Sequence, residues 1–174
     1  METLSYVRTP SPAGPLFLAA STKGLVRLEF EARMQKLNPV TTQLHESKQA
    51  LAAWLRELNE YFAGERRGFS LPLDLRGTEF QLACWRALLE IPYGETRSYR
   101  DIAQAIGHPH AYRAVGMSNN RNPVAIVVPC HRVIASNGSL CGYGGGLDIK
   151  RELLDMEQAN QASVHPCLPL GIGA

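Results

Sequence analysis

Strand-type patterning is concentrated in the first thirty residues of this chain and helical spacing dominates the remainder, so sheet and helix must be segregated rather than interleaved. Residues 4–8, 15–20 and 25–30 read as strands, and a Ser-Thr-Lys-Gly turn ending at Gly24 separates the last two. An antiparallel meander is expected. Leu44, Leu51, Trp54, Leu55, Leu58, Tyr61 and Phe62 then recur at helical spacing up to Gly64, a capping glycine, which predicts one long amphipathic helix across the small sheet. The stretch 65–77 mixes charges, two glycines and a proline, as a linker does. The expected division is an N-terminal α/β domain over 1–76, a C-terminal domain over 77–158 and a tail over 159–174, which loses periodicity and is expected to be disordered.

The second half reads as short helices. Thr78 with Gln81, and Ser98 with Asp101, have the spacing of capping boxes. The first opens a helix that turns Phe80, Cys84, Leu88 and Ile91 inward; the second opens one that runs through Ile106 and stops at Gly107. Pro109 suits the first turn of a further helix reaching about Asn119, and the pair resembles a helix-turn-helix. In that second helix Ala111, Ala114, Val115 and Ser118 share one face, leaving Arg113 on the other. Gly116 also lies on the outer half, where it fits either close approach of another backbone or tolerated drift. The apolar run 124–128, between Pro123 and Pro129, is expected to be a buried strand or extended segment ending at Cys130. Asn137-Gly138 predicts a hairpin between 133–135 and 139–141, followed by a glycine loop and a last helix from about Leu147. Lys150, Leu153, Leu154 and Glu157 fall on adjoining positions of that helix; Glu157 ends either an inward face or a solvated terminus.

A net charge of +2 does not by itself announce nucleic acid, but five arginines (97, 100, 113, 121, 132) stand against the single carboxylate Asp101 between Arg97 and Arg132. That excess fits a phosphate-facing surface or a solvated arginine face. Cys84, Cys130, Cys141 and Cys167 form no Cys-x-x-Cys pair, so neither a zinc cage nor a disulfide framework is indicated, and no metal site is expected. No stretch resembles a signal peptide or a membrane span, so a soluble cytoplasmic protein is expected.

Chemistry concentrates in Pro129-Cys130-His131-Arg132-Val133. A cysteine with pKa near 8.5 needs a base or positive charge nearby to become a nucleophile; His131, directly or through a water, could serve, with Glu157 orienting the imidazole. Taken alone, a Cys-His pair is weak evidence and fits a buried inert cysteine beside an ordinary histidine better.

Through this pentapeptide the sequence resembles the O6-alkylguanine-DNA alkyltransferases, and Ile91-Pro92-Tyr93-Gly94, Ser98-Tyr99, Arg113-Ala114-Val115-Gly116, Asn122-Pro123 and Gly142-Tyr143 agree in order and spacing. The resemblance is strong over 78–157 and weaker, by element order, before it. It implies an α+β fold: a small antiparallel sheet with a packed helix, ribonuclease H-like in the family, then a mostly helical domain carrying the helix-turn-helix and the active-site cysteine. It implies DNA repair by a single irreversible transfer of an alkyl group from O6-alkylguanine, or O4-alkylthymine, in duplex DNA to Cys130 after base flipping. His131, Glu157 and a water would activate Cys130, Asn122 would hold the network, Lys150 would assist as a cation, and Tyr99 would contact phosphate and stabilise the departing guanine. Arg113 would fill the space vacated in the duplex, with Ser98, Tyr99, Ala114 and Gly116 along the DNA face. Val133, Tyr143, Gly144 and Gly145 would recognise guanine. No cofactor is implied, and the partner is alkylated double-stranded DNA, bound by a monomer or by molecules clustered along it. The alternatives are a noncatalytic helix-turn-helix DNA-binding module and a Cys-His hydrolase. The first would leave the thiol unreactive; the second would turn over repeatedly.

Overall fold

The computed structural model describes residues 2–34 and 41–162. Strands β1 (Glu2–Thr9), β2 (Leu16–Ala20), β3 (Leu25–Phe30) and β4 (Thr42–Glu46) form a sheet in the order β3-β2-β1-β4. The meander β1-β2-β3 is antiparallel as expected, but β4 adds to β1 in parallel, pairing Leu4 with Leu44, so the sheet is mixed. Leu44 therefore belongs to an exposed edge strand and not to the helix its spacing suggested. The helix itself, α1 (Ala52–Phe62), is shorter than expected and buries Trp54, Leu58 and Tyr61; Gly64 sits just past its end at φ +76, a conformation costly for other residues.

In the second half come α2 (Glu79–Leu89), β5 (Arg97–Ser98), α3 (Tyr99–Ala105), α4 (Tyr112–Asn120), β6 (Val133–Ile134) and α5 (Leu147–Ala162). Both capping boxes form, Thr78 with Gln81 and Ser98 with Asp101, and Gly107 at φ +77 terminates the α3 segment. Of the four residues expected to face inward, Cys84 and Leu88 of α2 and Ile91 just past its end are buried, and Phe80 is half-buried against the His108 ring. Pro109 lies in a turn ahead of α4, which starts at Tyr112, because Ala111 donates its N–H to His108 and closes that turn first. Trp85 fixes α2 to α4 by donating its indole N–H to the Ser118 carbonyl at 3.0 Å.

Two expectations about the chain beyond α4 are corrected. Residues 124–128 are a turn and not a strand: only Val124 bridges, to Leu28, and Ile126 stands at φ +71 while Val127 N–H reaches the Ala125 carbonyl. Such a γ-turn is strained, and for a β-branched residue positive φ is rare, so the surrounding core must impose it; Ile126 is 1% exposed. Asn137-Gly138 does make a turn, with Ala135 N–H bonded to Ser139, but no hairpin ladder extends from it; β6 pairs instead in parallel with β5. The last helix runs four residues past the expected domain end at 158, and the rest of the expected disordered tail, 163–174, lies outside the described residues.

One apolar core spans both halves. β3 carries hydrogen bonds on its outer edge to both sides of the chain: Leu25 N–H donates to the Pro72 carbonyl, Leu28 N–H to that of Pro123, and Ala125 N–H to the carbonyl of Leu28. Leu16, Leu18, Leu25 and Leu28 of the sheet thus share a cluster with Val115, Val124, Val133 and Leu153. Each fully buried side chain of this kind contributes about 1.5–3 kcal/mol.

Candidate active site

Cys130 opens a one-turn 3₁₀ helix, Cys130–Arg132, placed by two tight turns in series. Pro129, at φ −82 and ψ 62, makes an inverse γ-turn in which Cys130 N–H meets the Val128 carbonyl, and the Ile126 turn precedes it. Asn122 secures this turn from the end of α4. Its Nδ2 donates to the Val128 carbonyl at 2.8 Å and to Cys130 Sγ at 3.1 Å, and its Oδ1 accepts Val124 N–H at 3.0 Å. Cys130 is 5% exposed, and burial pushes its thiol up in pKa, opposed in part by the Asn122 hydrogen bond and the Lys150 charge.

His131 points the other way, into the protein. Its Nε2 lies 2.8 Å from Glu157 Oε1, and among the described residues its buried Nδ1 has no hydrogen-bond partner and no direct bond joins it to Cys130. Burial lowers the histidine pKa despite the carboxylate. Nε2 therefore carries the proton toward Glu157, which leaves Nδ1 as the free lone pair.

Glu157, fully buried on α5, gathers five hydrogen bonds. Oε1 accepts from the Tyr61 hydroxyl at 2.7 Å, from His131 and from Arg132 Nη2 at 2.9 Å; Oε2 accepts from Arg132 Nε at 2.9 Å and Gly94 N–H at 3.1 Å. Burial alone would raise its pKa, but His131 and Arg132 outweigh that and hold the carboxyl well below the usual range. Arg132 also donates to the Ile91 carbonyl at 2.7 Å and is buried, so it leaves the phosphate-facing group in which the sequence had placed it. Its signal was available: a charge amid the apolar 124–134 needs an internal partner.

Lys150 is fully buried, and its Nζ donates to the Val133 carbonyl at 2.6 Å and the Cys141 carbonyl at 2.9 Å, while Tyr99 donates its hydroxyl to the same Cys141 carbonyl at 3.0 Å. Lys150 and Tyr99 thus tie the loop before Tyr143 to the segment after Cys130. Beside Cys130 opens a small cleft of about 50 Å³, lined by Asn122, Tyr143, Gly144 and Gly145. Glu29 and Phe30 of β3 line it too, a contribution from the first half that no motif marked. On α4, Val115, Ser118 and Asn119 are buried and Arg113 is exposed, its guanidinium 5.9 Å from the Tyr112 ring centroid. A Cβ on Gly116 would meet only the Tyr99 ring at 3.7 Å, an ordinary contact, so no backbone within the protein requires the glycine. Ala114 is half-buried and Ser98 is occupied in capping α3. Among the described residues no group of His, Cys, Asp or Glu could hold a metal, and no helix is long and apolar enough to cross a membrane.

Known proteins match both the sequence and the fold. The model of the ribonuclease-like domain of 6-O-methylguanine DNA methyltransferases matches residues 4–75, and that of their DNA-binding domain matches 79–159. The chain belongs to the 6-O-methylguanine DNA methyltransferase family. It is 50% identical over 150 residues to the methylated-DNA–protein-cysteine methyltransferase of Methanosarcina barkeri, covering 86% of this chain and 94% of that protein. The protein of the same name from Mycobacterium bovis is 49% identical over 156 residues, 90% and 93% of the two chains. The crystal structure of the Mycobacterium tuberculosis O6-methylguanine methyltransferase superposes with a TM-score of 0.81 at 47% identity over 96% of each chain. Another structure from that organism, in complex with DNA, gives 0.80 at 45% identity over 91% of this chain and 94% of that one.

Proposed function

We propose that this chain repairs duplex DNA by taking the alkyl group of O6-alkylguanine onto Cys130, once per molecule. The observation that carries the reading is the sulfur itself, lining a cleft under an amide donor, with an oriented, uncharged imidazole on the next residue whose Nδ1 is uncommitted. A water between Nδ1 and Sγ would take the thiol proton to His131; the S–C bond forms, the C–O6 bond breaks, and guanine leaves with its electron pair and gains a proton, for which Tyr99 is the nearby donor. The resulting imidazolium faces Glu157, whose carboxylate stabilises it. The thioether carbon is a poor electrophile, so nothing regenerates the thiol.

The target must leave the base stack to reach the cleft, at a cost of a few kcal/mol. Arg113, exposed on α4, is suited to fill the gap, while Ser98, Tyr99, Ala114 and Gly116 lie along the adjoining surface and meet the duplex. Val133, Tyr143, Gly144 and Gly145 frame the extrahelical base, and no cofactor takes part. The relatives' names and the DNA complex of the mycobacterial protein support this reading. The test is stoichiometric. Duplex bearing radiolabelled O6-methylguanine should transfer at most one label per protein, recovered on the Cys130 peptide, and Cys130→Ala should transfer none. Repeated turnover would mark a hydrolase; an unlabelled, DNA-bound protein would mark a noncatalytic module.

A further inference from the structure

We propose that Tyr61, in the N-terminal half, is a positioning residue for the chemistry at Cys130: its hydroxyl sets how much of the Glu157 charge reaches His131. The inference rests on the alkyl-transfer reading above. Tyr61 is fully buried on α1, and its hydroxyl donates at 2.7 Å to Glu157 Oε1, the oxygen that faces His131 Nε2 at 2.8 Å. Three rings pack around the Tyr61 ring, Phe62 and Phe69 at 5.4 Å and Tyr93 at 6.0 Å between centroids, while the hydroxyl itself is fixed by its bond to Glu157. Burial and the neighbouring carboxylate raise the phenol pKa, so it remains a donor throughout the working range.

Three donors compete for one oxygen. The more of it Tyr61 and Arg132 occupy, the less basic is the acceptor presented to His131, and the more readily the ring stays neutral with a free Nδ1. The remaining groups around the pair are Arg132 and Lys150, which carry positive charge, and Cys130, Tyr93 and Tyr143, which are neutral when protonated. Among the described residues none of these three neutral groups donates to Glu157, and the Tyr143 hydroxyl makes no hydrogen bond at all, so Tyr61 is the neutral side-chain donor on Oε1.

Tyr61→Phe keeps the ring and its packing and deletes only the donor. The full chain and the variant would be mixed with O6-methylguanine duplex under single-turnover conditions from about pH 5 to 9, with transfer followed on the Cys130 peptide. The acid limb of the rate profile should move up by about half a unit or more, with the rate near pH 6 falling several-fold and recovering at high pH. Phe62→Leu, which loosens the same ring cluster without touching Glu157, should lower the thermal midpoint and leave the profile in place. A Tyr61→Phe profile superimposable on that of the parent, or an equal shift in Phe62→Leu, overturns the assignment. A parent chain that never labels Cys130 overturns the alkyl-transfer reading and this one with it, a result distinct from either.

Discussion

At Asn122 a single amide makes three hydrogen bonds, two to the backbone of the active-site turn and one to the reactive sulfur. Holding the turn and moderating the thiol are therefore one task. Asn122→Ala leaves the Val124 N–H without its partner in a buried region and the Val128 carbonyl with the Cys130 N–H alone, a loss of about 1–3 kcal/mol, which lowers the thermal midpoint by several degrees in a chain of this size. It also removes a donor that opposes the burial-driven rise of the thiol pKa. The rate of Cys130 labelling by free O6-benzylguanine should fall by more than the loss of folded protein explains. A variant that melts early but reacts at the parental rate once folded would show that the amide serves the turn alone.

Helix α4 is an element with two faces of different purpose: Val115 and Ser118 are locked against the core, the latter through Trp85, and Arg113 stands in solvent. Arg113→Ala should slow repair of duplex substrate at least tenfold while leaving the reaction with free O6-benzylguanine within about twofold, because only the duplex demands base extrusion. Equal losses on the two substrates, measured in parallel single-turnover reactions, would contradict the role. The elements with local signatures were legible in sequence. Both capping boxes, the Arg113 face of α4 and the inward face of α5 rest on spacings of three and four residues. Strand β4 was not, because TQLHE is an exposed edge whose Leu44 also fits a helical period, and its parallel partner lies about forty residues away. Ile126 was invisible for a different reason: sequence reasoning assigns a β-branched residue in an apolar run to a strand, and only tertiary packing holds it at positive φ.

Across the whole molecule the site draws on both halves, which explains what a motif search finds and what it misses. Cys130, His131, Asn122 and Glu157 carry chemistry through residue type and local order. Tyr61 and Gly94 reach Glu157 across 96 and 63 residues, and nothing periodic encodes such a meeting. The buried network also fixes how stability responds to pH. His131 and Glu157 both have folded-state pKa values below their unfolded values of 6.5 and 4.5, so the unfolded chain binds the extra protons in acid. The His131 contribution is complete above pH 6.5 and declines below it; that of Glu157 declines below 4.5. Cys130, raised above 9.0, acts in the opposite sense and loses its contribution as pH rises past that value. Calorimetry should find the thermal midpoint nearly level between these limits and falling steeply under acid. Glu157→Gln should flatten the acid slope yet melt lower at neutral pH, since Arg132 loses its counter-ion, a loss of about 3–5 kcal/mol. A midpoint that held constant down to pH 4 would refute the account.

The two-residue ladder between β5 and β6 joins Arg97 to Val133 and Ser98 to Ile134. Tyr99 comes directly after the first strand, and the Cys130–Arg132 turn ends where the second begins. The distance from phenol to sulfur is therefore set by chain register, like two marks on a ruler. Adding or deleting one residue between Arg97 and Tyr99 would displace the phenol by roughly 3.3 Å and reverse the side-chain alternation, whereas the loop around Asn137 can lengthen without moving either mark.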